Sequence, residues 1–278
     1  MKTIKKILTL SLLMISAIMS AQVTSFDDCD NSGNPANFAF QNGESITLVA
    51  NYKWGLVNTS IGEAVLKLSK EDYNDHIHFV SVVNIKTYSF FDNFFKVRDY
   101  FVSKFSAENM RPSYFHQDTR EGKYTKTGTL YFDWTNKKLS GTCQRKTAPE
   151  RAFTSDLQGC TFDFMSFIYY LRNIDFDAIK VNSDLKVTFA LDDVQKTLNV
   201  KYKGAKKIKT RAGKFNAIEV VVQLIENETF ASKPEMSLFL SNDKNHIPLY
   251  AEMPLKIGGV RISLSEYSYL KFPVTSKE

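Results

Sequence analysis

Apolar residues along this chain alternate more often than they recur at helical spacing. In ESITLVANYKWGLVNTSIGEAVLKLSK, residues 44–70, they fall at Ile46 and Leu48, at Tyr52 and Trp54, and at Ala64, Leu66 and Leu68. A spacing of two puts successive apolar side chains on one face of a strand. Gly62, inside this run, marks a bend or bulge. HIHFVSVVNIKTYSF, 76–90, reads as another long strand after the turn-like EDYND. The aromatics of FDNFFKVRDYFVSKF, 91–105, fit either period, and Pro112 limits any helix near Met110 and Arg111. Beyond Pro112, strand-like runs are separated by turns at Glu121-Gly122 and at Thr135 to Lys138. LKVTFAL then ends at Asp192-Asp193, QKTLNVKYK at Gly204, and KKIKT at the turn Ala212-Gly213-Lys214. FNAIEVVVQLIE and MSLFLS flank a loop around Asn227 to Pro234.

One segment has a different period. In TFDFMSFIYYLRNIDFD, 161–177, Phe164, Phe167, Ile168 and Leu171 stand at i, i+3, i+4 and i+7, with Asp163 or Thr161 as N-cap. The spacing predicts a helix over 163–173. Many short strands with regular turn signals and one helix predict a mainly β fold: a strongly curved antiparallel sheet or open β-barrel with one packed α-helix. No repeat or Gly/Ser-rich linker divides it, so one β-rich domain is expected over 38–273, after a flexible leader at 22–37 and before a tail at 274–278.

The first residues change the picture of where the protein works. Lys2, Lys5 and Lys6 precede an apolar run from Ile7 to Met19, followed by Ser20 and Ala21. This is the pattern of a secretory signal peptide, with cleavage expected after Ala21, and the run is too short to read as a membrane span. Removing residues 1–21 removes three lysines and no acids, so the formal net charge falls from +6 to +3. A domain at +3 gives no reason to propose nucleic-acid binding. The expectation is an exported protein, periplasmic or secreted, soluble and without a transmembrane segment once the signal is removed. In that oxidising setting Cys143 and Cys160 enclose a short loop and are the candidate disulfide, which leaves Cys29 as the spare thiol.

Candidate chemistry is sparse. His76 and His78 share a strand face, as two ligands of a metal would, but a third ligand such as His116 is not fixed nearby, and two solvent-facing histidines explain the pattern better. Asp243 and His246 could support acid–base work, yet SNDKNH reads first as a hairpin turn, and Gly258-Gly259 as another. KYKGAKKIKTRAGK, 201–214, carries seven basic residues and reads as solvated strand faces or as a patch for phosphates. The nucleophile elbow, the phosphate loop and the dinucleotide fingerprint are all missing from the sequence. No catalytic residue, cofactor or metal is assigned. Arg172, after Tyr169 and Tyr170 at the helix end, is either a ligand-holding cation or a helix cap, and these three are the candidate ligand residues.

Several segments resemble one family. FQNGESITLVANYKW with GEAVLKL is similar to its opening motif, a Gly-Glu pair followed by Trp and a later Gly. DFMSFIYYLRNIDF is similar to its central helix, YKGAKKIKTRAGKFNAIEV to its glycine-spaced hairpin, and LFLSNDKNHIPLYAEMPLKIGGVRISLSEY to its C-terminal signature. The chain thus resembles the bacterial exported domain-of-unknown-function family 3108 over about 38–270. The resemblance implies a periplasmic or secreted β-rich protein and brings no catalytic residues. The functional expectation is a non-catalytic binding or envelope-assembly factor, acting on a lipid or other apolar ligand or on an envelope protein partner. The alternatives are an envelope-directed hydrolase and a structural protein–protein interaction module.

Overall fold

The alternation becomes strands almost everywhere. A computed structural model describes residues 38–224, 235–254 and 259–278. The N-terminal half runs β1 (Ser45–Trp54), β2 (Val57–Tyr73), β3 (His76–Thr87), a one-turn α1 (Ser89–Asp92), β4 (Arg98–Ser106), β5 (Pro112–Glu121), β6 (Tyr124–Asp133), β7 (Lys138–Arg145) and β8 (Arg151–Asp156). A two-residue β9 (Thr161–Phe162) leads into α2 (Phe164–Arg172). The chain then returns to strands: β10 (Asp184–Leu191), β11 (Val194–Thr210), β12 (Gly213–Leu224), β13 (Glu235–Ser241), β14 (Pro248–Pro254) and β15 (Gly259–Ser268).

These strands make one sheet in the order β8-β7-β6-β5-β4-β3-β2-β1-β15-β14-β13-β12-β11-β10-β9. Neighbours are antiparallel except β9 and β10. The β1–β15 pairing, with Ile46 opposite Tyr267 and Ala50 opposite Ile262, joins the two halves of the meander. The sheet is curved and unclosed, an open barrel, because β8 and β9 remain edges. Right-handed twist accumulated over so many strands brings those edges toward each other.

Side chains, rather than a strand ladder, bridge the gap. The β10–β11 turn carries Asp192, whose carboxylate takes Lys126 Nζ at 2.8 Å, Arg145 Nη2 at 2.6 Å and Gln117 Nε2 at 3.2 Å, from β6, β7 and β5. Arg151 of β8 meets Asp193 at 2.8 Å. Gln195 Oε1 accepts from the Gln158 N–H at 2.8 Å, and its Nε2 donates to the Asp156 carbonyl at 2.6 Å. Burial works against the charge on Asp192, but the hydrogen bonds and charges of Lys126 and Arg145 win and hold its carboxyl below the usual range.

The structure departs from the sequence reading at Gly204. QKTLNVKYK and KKIKT are one strand, β11, and Gly204 (φ +96°) sits at a register break against β12 rather than in a turn. An extra residue in one strand of an antiparallel pair, with glycine taking the left-handed backbone, is a bulge. Gly62 also lies beside a register break, and a Cβ there would collide with the Lys86 carbonyl oxygen. Segment 91–105 divides between α1, a short connection and β4. Residues 274–278 lie against β12, with Ser276 buried and Lys277 bridging Phe215. The expected leader at 22–37 and the turn glycine Gly258 lie outside the described residues.

Asp192→Asn leaves Lys126 buried without its counter-ion. We expect it to lower unfolding free energy by about 3 kcal/mol, the usual scale for breaking one side of a buried pair. Urea denaturation checks this, and adding Lys126→Met should recover part of the loss.

Candidate ligand-binding site

Helix α2 lies inside the curved sheet, and its ends explain why it stays there. At the N-terminus, Asp163 accepts from the Met165 and Ser166 N–H groups at 2.8 and 3.0 Å, while its own N–H donates to Ser166 Oγ at 3.0 Å, a capping box. Ser103 of β4 donates a further hydrogen bond to the same carboxylate at 2.8 Å. Complete burial raises the Asp163 carboxyl above its ordinary range, against the pull of these donors.

At the C-terminus, Arg172 forms a bidentate pair with Glu44 at 2.5 and 2.8 Å, and both side chains are 1% exposed. The same guanidinium donates to the carbonyls of Asn245 at 3.1 Å and Ala39 at 3.3 Å. Burial opposes its charge, but Glu44 more than offsets this and raises the affinity of Arg172 for its proton. His246 Nδ1 donates to the Arg172 carbonyl at 2.7 Å, and burial lowers the imidazole's pKa.

Opposite faces of α2 do different things. Tyr169 and Arg172 pack toward the N-terminal side, where Phe38, Phe40, Phe79, Phe105 and Tyr169 form a cluster of stacked and edge-on rings. Phe164, Phe167 and Ile168 line a space that the strands leave open, with Phe164 also 6.1 Å from the Phe101 ring of β4. Between this helix face and the concave side of the sheet is a cavity of about 390 Å³. Its wall includes Leu48 and Leu66 of β1 and β2, Phe189, Leu191 and Leu198 of β10 and β11, Met236 and Leu238 of β13, Tyr250 and Ala251 of β14, and Ile262 of β15. Lys196 is the one charged residue lining it among the described residues. Phe164 and Leu191 are the exposed members of the lining and mark the opening.

The sequence candidates sit elsewhere. Tyr169 and Tyr170 are buried against the core, away from the hollow, and burial raises both phenols above their ordinary range. Arg172 borders a separate polar groove of about 530 Å³, with its guanidinium committed to Glu44 and two carbonyls. Asp243 shares that groove but holds its own turn: it accepts from Ser241 Oγ at 2.9 Å, the Asn245 N–H at 3.0 Å and Ser276 Oγ at 2.6 Å. This is the local bonding that a turn aspartate supplies.

His78 is buried, donates from Nδ1 to the His76 carbonyl at 3.0 Å and accepts at Nε2 from Ser113 Oγ at 2.7 Å. His116 lies beside Thr129 Oγ1 at 3.1 Å. In the basic run, Lys201, Lys206 and Lys207 pair with Asp184, Glu219 and Glu278.

The expected Cys143–Cys160 bridge is corrected. Cys143 is a buried free thiol, and no disulfide joins two described cysteines. Its β7 position places it beside Asp192 and Lys126, while Cys160, buried just before β9, is engaged elsewhere. Cys29 lies outside the described residues. The residues that sequence reasoning missed are Glu44 and the aliphatic wall. The Gly-Glu pair of the opening motif was the available signal for Glu44, whereas the wall residues look like any strand interior.

Burial, then the charge of Asp192, pushes the Cys143 thiol up. Cys143 should therefore resist iodoacetamide in the folded protein and react once urea unfolds it, as peptide mass mapping would show. Glu44→Gln leaves the Arg172 charge buried and should cost about 3–5 kcal/mol of stability. Arg172→Met in the same chain should restore much of it, measured by denaturant midpoint.

Comparison with known proteins adds the fold and the family. The crystal structure of a beta-barrel-like protein of domain of unknown function DUF1849, from Brucella abortus, superposes with a TM-score of 0.54 at 10% identity, covering 82% of this chain and 98% of that one. An exported protein with a YmcC-like fold from Bacteroides fragilis has a TM-score of 0.37 at 10% identity, covering 84% and 98%. A lipoprotein from Parabacteroides distasonis has 0.39 at 9%, covering 84% and 99%. The first of these likenesses supports the β-barrel-like architecture. No curated protein matches the sequence. The family model described as "Protein of unknown function (DUF3108)" matches residues 49–265, most of the chain, and the protein belongs to that family.

Proposed function

We propose that this is an exported, non-catalytic binding protein that holds the apolar chain of a lipid-like ligand between α2 and the C-terminal half of the sheet. The observation that carries this reading is the hollow. Its volume of about 390 Å³ lies within the range of small-molecule sites, roughly 300–1,000 Å³. At the roughly 30 Å³ that each water takes in the liquid, it has room for on the order of a dozen non-hydrogen atoms. Its wall has almost nothing to hydrogen-bond water, and apolar cavities far smaller than this stay dry and accept apolar guests. A chain of about ten methylenes placed there would gain roughly 8 kcal/mol at about 0.8 kcal/mol per buried CH₂, before the cost of immobilising it.

Export rests on the signal-like segment 1–21, with cleavage after Ala21. Among the described residues no helix is long and apolar enough to cross a membrane. The hydrolase reading has no comparable support, because Asp243 and His246 are occupied in holding backbone and turn.

Ala251 is a small wall residue opposite Leu238 and Ile262 on neighbouring strands, so Ala251→Phe projects a ring into the hollow. We expect the purified protein to bind a fluorescent long-chain fatty acid saturably, and Ala251→Phe to weaken that binding about tenfold or more, some 1.4 kcal/mol, with little loss of thermal stability. Absence of saturable binding by the unsubstituted protein, or equal binding by the variant, would refute the reading.

A further inference from the structure

We infer that the end of the barrel bearing the mouth of the hollow is a docking surface for an anionic lipid membrane. In a meander, connections fall alternately at two ends of the sheet. One end carries the β1–β2 turn, the α1 connection 88–97, the β5–β6 turn, the β7–β8 turn and the β10–β11 turn. The other carries the C-terminus of α2, the Asp243 turn and the chain's last residues. The opening marked by Leu191 belongs to the first end, since Leu191 is the last residue of β10 before its turn.

That end is also where large exposed apolar side chains gather. Leu56 at the β1–β2 turn is fully exposed, Phe90 is 65% and Phe94 75% exposed, and Phe95, Leu191 and Val194 are exposed as well. Single exposed apolar residues are ordinary, whereas a group on one face marks an interaction site. The phenylalanines are held outward rather than left loose. Asp92 receives Arg98 Nη2 at 2.5 Å and Thr87 Oγ1 at 2.5 Å, Val97 N–H donates to Thr87 Oγ1 at 3.0 Å, and Gly122 N–H donates to the Lys96 carbonyl at 2.8 Å. On this frame the rings of Phe90 and Phe94 lie 5.7 Å apart, against each other and away from the core.

The charge at this end selects the partner. Among the described residues Lys53, Lys96, Lys123 and Lys146 are exposed there and form no salt bridge, while Asp92, Asp192 and Asp193 are already paired with Arg98, Lys126, Arg145 and Arg151. Among the described residues Glu121, Glu150 and Glu235 are the carboxylates there that no cation pairs with, and Asp99 is buried, so four exposed lysines face three such carboxylates. Aromatic rings projecting beyond a rim of lysines fit the boundary between acyl chains and negative headgroups. An acyl chain leaving such a surface would enter the hollow without crossing water. This inference extends the apolar-ligand reading, but its test does not depend on the hollow.

The test is co-sedimentation of the purified protein with vesicles of equal parts phosphatidylcholine and phosphatidylglycerol, and with vesicles of phosphatidylcholine alone. We expect binding to the mixed vesicles that falls with added salt, and a loss of about tenfold in Phe90→Ser/Phe94→Ser, whose exposed positions leave folding unaffected. Lys96→Glu/Lys123→Glu should reduce binding to the mixed vesicles and leave the weak binding to neutral ones unchanged. Ala251→Phe should bind vesicles as the unsubstituted protein does, which separates failure of docking from failure of the hollow. Undiminished sedimentation of the phenylalanine variant would overturn the inference. So would an absence of vesicle binding, including a case in which the patch instead captures a protein partner.

Discussion

The structure depends on one geometric constraint: a sheet this wide, twisted into an open barrel, encloses more space than its own side chains can fill. A single helix enters that space, and whichever part it leaves unfilled becomes the hollow. The largest ring cluster stands on one side. Phe38, Phe40, Phe79, Phe105 and Tyr169 fill the region between α2 and the N-terminal strands. The C-terminal strands contribute mostly leucine, isoleucine, valine and methionine to the wall of the hollow, with Phe189 and Tyr250 among them, and the volume remains on that side.

Polar anchors fix this asymmetry. A helix held only by apolar contacts could slide toward the unfilled side, because dispersion and burial are non-directional. Asp163 bonded to Ser103 at one end, and Arg172 bonded to Glu44 and Asn245 at the other, set its position and its rotation about its own axis. Buried ion pairs are weak sources of net stability, but breaking one is costly, so they specify an arrangement better than they strengthen it. The seam around Asp192 does the same for the sheet edges, where a continued strand ladder would have closed the barrel.

Strands and helix were legible because period two and period 3.6 leave different traces, and the helix appears at Phe164–Arg172 with Asp163 as its cap, close to the 163–173 expectation. Gly204 misled because a glycine between lysines looks the same whether it ends a strand or bulges one. The role of Arg172 was half legible: its place at the helix end could be read, but its partner lies 128 positions earlier in the chain. Cysteine spacing suggested a bridge, yet proximity in sequence says nothing about which way a strand turns its side chain, and Cys143 turns toward Asp192. The hollow could not be read at all, since an apolar residue facing a cavity and one facing a neighbour have the same place in the pattern.

The space between Ile168 and Ala251 is proposed as a site for an apolar chain. The most direct measurement is a crystal structure of the protein soaked with a long-chain fatty acid brominated near its methyl end. Binding of the proposed kind would place the anomalous bromine peak in the hollow, between α2 and strands β13 and β14. A peak confined to the outer surface, or an unaltered hollow at saturating ligand, would contradict the account.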